Sequence, residues 1–436
     1  MNRSQNLMKC IYWLRRENVF QYMDELKATE KLSVDEYRNY KNGKIKELVT
    51  YLRKNTNYFS DELGNKSLQM KTKNGIDQLP IMDKQSIKMN LESLLCQGCH
   101  VKWRSTSGTT GAPFVFPKDN IATGYMDAMM YNAYSWHGID MNDRQARLWG
   151  RSVKQRDKLL QTFKDVLLRR ARLSAFDMSR DNCMKYFNKL IRFKPDYFYA
   201  YSNALFQFAN FVEENHLDGK ALGIDLAICT GEVLFDYQRQ KISDVFACRV
   251  VNEYGSTENG IIGMECEFGR MHILPTIHLE IVNPDESGIG EVLVTELNSR
   301  SIPFVRYKIG DRGKLVSGGC RCRRPFELFE IHEGRIDAYI RCPNGRIVYD
   351  AILAYTLKEF ALQFKAFQER IDCLTIHIVP NNSFNQGNED RLRKLLKKYV
   401  GDDMVINIVR VKEVPNEASG KLRYFVPLTD QSDNRS

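Results

Sequence analysis

A chain of 436 residues is longer than one hydrophobic core usually organises, so two or more domains are expected. A composition of 43% hydrophobic and 27% charged residues, with no long polar or Gly/Pro-rich tract, is that of a globular protein and excludes a disordered or fibrous one. The net charge of +10 suits a polyanionic ligand such as a nucleotide, but the Lys and Arg residues are scattered rather than clustered, which argues against nucleic-acid binding. Eleven cysteines and a polar start, Met1 to Cys10, without an apolar signal core, predict a reducing compartment and a cytoplasmic protein. No uncharged apolar run approaches the roughly 18 residues of a spanning helix, so no transmembrane segment is expected. Residues Cys10 to Phe20 mix aromatics with Arg and read as a helix packed on the body, loose attachment to a membrane surface being the second reading.

The first hundred residues read as a helical lead-in. Ser33-Val-Asp-Glu36 offers a capping box, and Asp35 to Asn55 places apolar residues at helical intervals. Leu79-Pro-Ile-Met-Asp83 breaks that pattern, with Asp83 a cap for the next helix. Helices are predicted over 121–136, 157–172 and 181–191. From about 222 strands take over. Gly223–Cys229 and Cys248–Asn252 flank a helix at Asp236–Phe246, a β-α-β unit that calls for a parallel sheet. Residues 277–317 predict a smaller, partly antiparallel sheet. Beyond Gly334 strands at Ile336–Ile340 and Arg346–Val348 would pair around Pro343-Asn-Gly345. A helix at Ala351–Phe364, strands at Cys373–Val379 and Val405–Val411 and a helix at Arg391–Val400 complete a compact α+β unit.

The strongest local signal is the run Ser105, Thr106, Ser107, Gly108, Thr109, Thr110, Gly111, followed by Ala112-Pro113. Its glycines let the backbone approach an anion, and its hydroxyl and N–H groups can donate to phosphate oxygens. No Lys-Ser/Thr follows the last glycine, so it is not a kinase-type P-loop. This run resembles the phosphate loop of the adenylate-forming superfamily, and five further signatures follow in that family's order. They are Thr230-Gly231-Glu232, Asn252-Glu253-Tyr254-Gly255-Ser-Thr257-Glu258, Arg306-Tyr-Lys-Ile-Gly-Asp311, Gly334-Arg335-Ile-Asp337 and Ala418-Ser-Gly-Lys421-Leu-Arg423.

The resemblance implies a role for each. Gly231 and Glu232 belong to the segment flanking adenine, as Glu253 and Gly255 flank Tyr254, whose ring offers adenine a flat apolar face. Thr257 would hydrogen-bond phosphate, and Glu258 would hold Mg²⁺ against the triphosphate. Asp311 would accept from the ribose hydroxyls, and Arg335 would hold ribose or phosphate oxygens with its planar fork. Lys421 would place positive charge between the attacking carboxylate and the α-phosphate. The implied fold is α/β: a large N-terminal adenylate-forming domain of mixed sheets with helices over 1–333, and a small mobile α+β C-terminal domain over 334–436, hinged at Asp337.

Within the superfamily the chain resembles the phenylacetate–CoA ligase group and its CapK-like capsular polysaccharide branch, through Leu79-Pro-Ile-Met-Asp-Lys84, Ile302-Pro-Phe-Val-Arg-Tyr307 and the cysteines that follow. It departs from the wider pattern in three places. The first lysine after the phosphate loop is Lys118, Thr230 replaces a smaller residue, and Cys342-Pro343 precedes the glycine, Gly345, past which CoA-using relatives thread pantetheine. The implied reaction uses ATP, Mg²⁺ and a small-molecule carboxylate. Its acyl acceptor is CoA, as in phenylacetate–CoA ligase, or an amino or hydroxy sugar in capsule or O-antigen assembly. A non-catalytic nucleotide binder is the reading from another class, and the intact Glu258, Asp311, Arg335 and Lys421 argue against it. A monomer or homodimer is expected.

Cys266, His272, Cys320 and Cys322 form a second constellation. Three thiolates and an imidazole make a sound tetrahedral zinc set, expected to be structural. The alternative is four unlinked residues, the thiols acting as small buried hydrophobes. His278 reads as a hydrogen-bonded strand histidine, with a place beside the acyl pocket as the second reading. No Ser-His-Asp order supports a hydrolase.

Overall fold

A computed structural model of the chain describes residues 3–64, 75–96, 101–105, 114–149, 158–175, 178, 180–302, 304–333, 339–345, 347–349, 351–357, 359–381, 384–414 and 424–428. The chain folds as two compact units, Met1–His332 and Glu333–Ser436.

The first unit opens with helices α1 (Arg3–Leu14), α2 (Val19–Thr29), α3 (Val34–Asn55), α4 (Asn57–Gly64), α5 (Lys84–Met89) and α6 (Leu91–Leu94). Ser33 and Glu36 close the expected capping box at the start of α3, the Ser33 N–H donating to Glu36 Oε2 at 2.8 Å. Tyr37, Lys41, Ile45, Leu48, Val49 and Leu52 then line the buried face of α3 at intervals of three and four. Asp83 caps α5 by accepting from Ser86 N at 2.7 Å.

Strands β1 (Val101–Ser105) and β2 (Val115–Asp119) form an antiparallel ribbon in which Ser105 faces Val115. Helix α7 (Asn120–Ser135) follows directly. A doubly wound segment comes next: β3 (Gln145–Trp149), α8 (Lys158–Leu167), β4 (Arg170–Ser174), α9 (Arg180–Phe193), β5 (Tyr197–Tyr201), α10 (Ser202–Glu214), β6 (Leu226–Thr230), α11 (Asp236–Phe246) and β7 (Arg249–Ser256). Strands β8 (Gly260–Glu265), β9 (Met271–Ile273), β10 (Ile277–Val282), β11 (Gly290–Glu296), β12 (Tyr307–Val316) and β13 (Leu328–Glu333) complete one eleven-stranded sheet, ordered β10-β11-β12-β13-β9-β8-β7-β6-β5-β3-β4. The half from β4 to β7 is parallel, and β7 to β9 and β10 to β12 pair antiparallel. The core lies on both faces of the parallel half. Ala146, Leu148, Phe198, Ala200, Ala227 and Cys229 pack under α9–α11, and Tyr197, Leu226, Ile228 and Val251 pack under α7. This two-sided burial is what parallel strands require.

The second unit holds the hairpin β14 (Tyr339–Arg341) and β15 (Ile347–Tyr349), helix α12 (Ala351–Leu357), and a four-stranded sheet ordered β18-β17-β16-β19. Its strands are β16 (Ala361–Arg370), β17 (Cys373–Pro380), β18 (Val405–Arg410) and β19 (Phe425–Val426), with α13 (Gln386–Val400) crossing from β17 to its parallel neighbour β18. Leu392, Leu396 and Val400 bury every fourth position of α13.

Three expectations need correction. The helix predicted over 157–172 ends at Leu167, because Arg169 turns left-handed at φ +50 and Ala171 and Leu173 then bury as strand residues. The helix predicted over Ala351–Phe364 ends at Leu357, since Phe364, Ala366 and Gln368 bury alternately, the period of a strand. Residues 277–317 do not make a separate sheet but extend the main one.

Candidate active site

Two motifs meet at the junction of the parallel and antiparallel halves. Strand β7 carries Glu253, Tyr254 and Gly255, and β12 carries Tyr307 and Asp311. The Tyr254 hydroxyl donates to Asp311 Oδ2 at 2.8 Å, and the Tyr254 ring stacks on Phe329 with centroids 5.6 Å apart. Burial, reinforced by the Asp311 carboxylate, pushes the Tyr254 phenol well above its usual range, so it remains a donor. Gly255 has to be glycine: a Cβ there would lie 2.5 Å from the Gly260 carbonyl oxygen of β8.

Thr257 is exposed in the turn between β7 and β8, while the neighbouring Glu258 is buried. Glu258 Oε1 accepts from the Tyr307 hydroxyl at 3.1 Å and lies 3.3 Å from Lys84 Nζ. Lys84 reaches it because the preceding segment is zipped onto β12. Met82 N donates to Arg306 O at 3.1 Å, Lys308 N donates to Met82 O at 2.7 Å, and the Arg306 guanidinium donates to Leu79 O at 2.9 Å. A buried carboxylate oxygen of this kind is the donor type that a divalent cation takes. Lys84 and Tyr307 were not singled out as site residues from sequence. The signal for both was their position inside motifs quoted for resemblance alone.

Glu232 and Glu253 turn elsewhere. Gly231, at φ +76, turns the chain after β6, and Glu232 Oε2 accepts from Asn203 N at 2.9 Å in the first turn of α10. Glu253 accepts from the Tyr134 hydroxyl at 2.6 Å and the Tyr199 hydroxyl at 3.0 Å, beneath α7. Burial raises its carboxyl above the usual range, and these hydrogen bonds pull the other way.

Ser105 is exposed at the end of β1; Thr106, Ser107, Gly108, Thr109, Thr110 and Gly111 lie outside the described residues, as do Arg335, Asp337 and Lys421. The base of that loop is nevertheless fixed. Lys118 of β2 is fully buried, paired with Glu296 and 4.7 Å from the Phe304 ring centroid. Asp119 caps α7 through Ala122 N at 2.9 Å and accepts from Arg300 N and Ser301 N at 2.7 Å each.

The second constellation does assemble. The donor atoms of Cys266, His272, Cys320 and Cys322 all lie within 4.8 Å of one another, with the Cys266 and Cys320 sulfurs 3.6 Å apart and Cys322 Sγ 3.3 Å from His272 Nε2. The edges of a zinc tetrahedron with these ligands are about 3.5–3.8 Å, so the donor set fits. His272 Nδ1 lies 3.3 Å from the Phe326 carbonyl, which leaves Nε2 for a metal, and burial lowers the imidazole to about 4. Among the described residues there is no disulfide. His278 lies on β10, and its buried Nδ1 has no hydrogen-bond partner among the described residues.

This architecture is that of the adenylate-forming ligases. 2-Hydroxyisobutyryl-CoA ligase, solved in its postadenylation state with an acyl-AMP, superposes with a TM-score of 0.75 at 15% identity, over 93% of this chain and 92% of that one. The chain therefore has the fold of the adenylate-forming ligases. Residues 341–427 match the CapK C-terminal domain family. The chain is similar across its length to Protein CapK of Staphylococcus aureus, 22% identical over 436 residues, 97% of this chain and 96% of that protein. It is also 27% identical over 148 residues to phenylacetate-coenzyme A ligase of Pseudomonas putida, 31% of this chain and 34% of that one. These likenesses bear out the resemblance read from the motifs. No described helix is long and apolar enough to cross a membrane.

Proposed function

We propose that this protein activates a carboxylic acid with ATP and passes the acyl group to an acceptor in surface-polysaccharide assembly. The observation that carries the reading is the 2.8 Å hydrogen bond from Tyr254 to Asp311, which joins the adenine and ribose motifs at one point beside the buried Glu258. In the first step a carboxylate oxygen attacks the α-phosphorus of ATP, the bond to the β-phosphate oxygen breaks, and pyrophosphate leaves. Tyr254 and Asp311 hold adenosine, and Glu258, with Tyr307 fixing its orientation, holds the cation that neutralises the triphosphate. Thr257 and the loop from Ser105 to Gly111 bind phosphate. Arg335, the hinge Asp337 and Lys421 keep the roles their motifs imply, and the domain division at 333/334 belongs to the same proposal. The Cys266, His272, Cys320 and Cys322 set is proposed as a structural zinc site that ties β9 to the segment after β12.

A CoA acceptor is the second reading. Gly345, at φ +79, has open space where a Cβ would stand, as a passage for a pantetheine arm needs. Incubation with Mg-ATP and a carboxylate panel, followed by CoA or an aminosugar nucleotide, tests both. Acyl-AMP detected by mass spectrometry and consumed by one acceptor is the expected result. Absence of acyl-AMP with every acid contradicts the reading.

A further inference from the structure

At the carboxyl ends of the parallel strands, Tyr201, Thr230 and Glu253 stand side by side in register across β5, β6 and β7, and Trp149 of β3 lies against Tyr201 with ring centroids 4.3 Å apart. Ligands of open α/β sheets bind at this edge. One turn of alternation back, Arg147 pairs in register with Tyr199. Its guanidinium carbon lies 4.8 Å from the Trp149 ring centroid and 5.0 Å from that of Tyr199, held between two aromatic faces.

Arg147 has no hydrogen-bond or ion-pair partner among the described residues, and its Nε is buried without an acceptor. Its neighbour in register, Arg172, shows the contrast, since both its Nε and Nη2 donate to Asp165 at 3.0 Å. Glu253 feels the charge of Arg147 without pairing to it, and its oxygens already accept from Tyr134 and Tyr199. Arg170 and Arg172 add to the positive field at Arg147. A partly buried cation with unused donors is costly unless a ligand completes it, and a guanidinium fork is matched by a carboxylate. The position is also joined to the nucleotide site, because Tyr199 bonds Glu253 and the next residue, Tyr254, bonds Asp311.

We propose that Arg147 receives a second anionic group on the acid substrate, so that the acid activated here is a dianion carrying a carboxylate remote from the reacting one; this rests on the acyl-activating reading above. Trp149 and Tyr199 hold the guanidinium plane, and its N–H edge faces the ligand.

The test compares aliphatic dicarboxylates of three to six carbons with their monoamides, on the full chain and on Arg147→Gln and Arg147→Lys. Pyrophosphate exchange into ATP gives the rate, and calorimetry with a non-hydrolysable ATP analogue present gives binding. The wild type should prefer a diacid over its monoamide by about tenfold or more in kcat/KM. Arg147→Gln should lose that preference, its kcat/KM falling about tenfold or more further on the diacid than on the monoamide, and Arg147→Lys, with its charge kept and a wild-type melting temperature, should retain part of it. Equal losses on both acids, or no wild-type preference, overturn the assignment. Diacid binding that Arg147→Gln abolishes, without exchange by any acid, upholds the anion site and overturns the adenylation reading. No diacid binding in the wild type overturns the Arg147 assignment.

Discussion

Lys84 Nζ stands 3.3 Å from Glu258 Oε1, an ion pair between the first residue of α5 and the turn after β7. The lysine side chain is 54% exposed and the glutamate 6%, so the carboxylate is fixed and the ammonium can leave. Such an exposed partner contributes about 0–1 kcal/mol to stability. In the proposed reaction a metal–nucleotide complex takes the place of the ammonium. Glu258→Gln should therefore lower exchange activity by about a hundredfold or more, the loss of a charged group that acts on a bound cation. Lys84→Met should leave the KM for Mg-ATP unchanged or lower it, because the bound cation displaces the ammonium, with an unchanged melting temperature. Steady-state kinetics over a Mg-ATP titration check both.

The buried Lys118–Glu296 pair predicts an asymmetry. Removing one partner leaves the other charged and unpaired in a dry site, so Lys118→Met should cost about 3–5 kcal/mol. Lys118→Met with Glu296→Leu should recover most of that loss, because neither buried charge remains. Denaturant unfolding of the two variants and the wild type gives the comparison.

The four-ligand cluster predicts about one zinc per chain by elemental analysis. A strong chelator, or Cys320→Ser with Cys322→Ser, should remove it and lower the melting temperature by several degrees. Pyrophosphate exchange measured at a low temperature should survive, since Cys266 and His272 tie structure together and carry no chemistry in the proposed reaction.

Glu253 predicts a pH effect with a definite sign. Its folded pKa lies above the ordinary value because of burial, so the native state retains a proton that the unfolded chain releases. Stability contributed by this group is present at low pH and falls as pH rises through the window above the ordinary carboxyl value. Glu253→Gln should accordingly gain stability relative to wild type as pH rises above the ordinary carboxyl value. A difference that does not change with pH contradicts the assignment.

The sequence made some of this legible for local reasons. Ser33–Glu36 and Asp83 are capping signals read within four residues, and the structure uses both. The strand–helix–strand segment around Asp236–Phe246 was legible because apolar runs bracket one amphipathic helix. Strands β3 and β5 were not legible: Gln145–Trp149 has an arginine at its centre, and Tyr197–Tyr201 is five residues of aromatic and alanine with no alternation of apolar and polar side chains. Both become strands because neighbours cover them on two faces, a tertiary effect. Motif order gave Tyr254, Asp311 and Glu258. The contacts of Lys84 and Arg147 depend on which segments pair, and spacing along the chain carries no record of that.

The central claim is that the protein makes an acyl-adenylate, and the most direct measurement is carboxylate-dependent exchange of labelled pyrophosphate into ATP, with wild type and Lys421→Ala side by side. The account predicts exchange in the wild type, a loss of about a thousandfold in Lys421→Ala, and ATP binding within a few-fold of normal in that variant. Exchange at near the wild-type rate without Lys421 would contradict it.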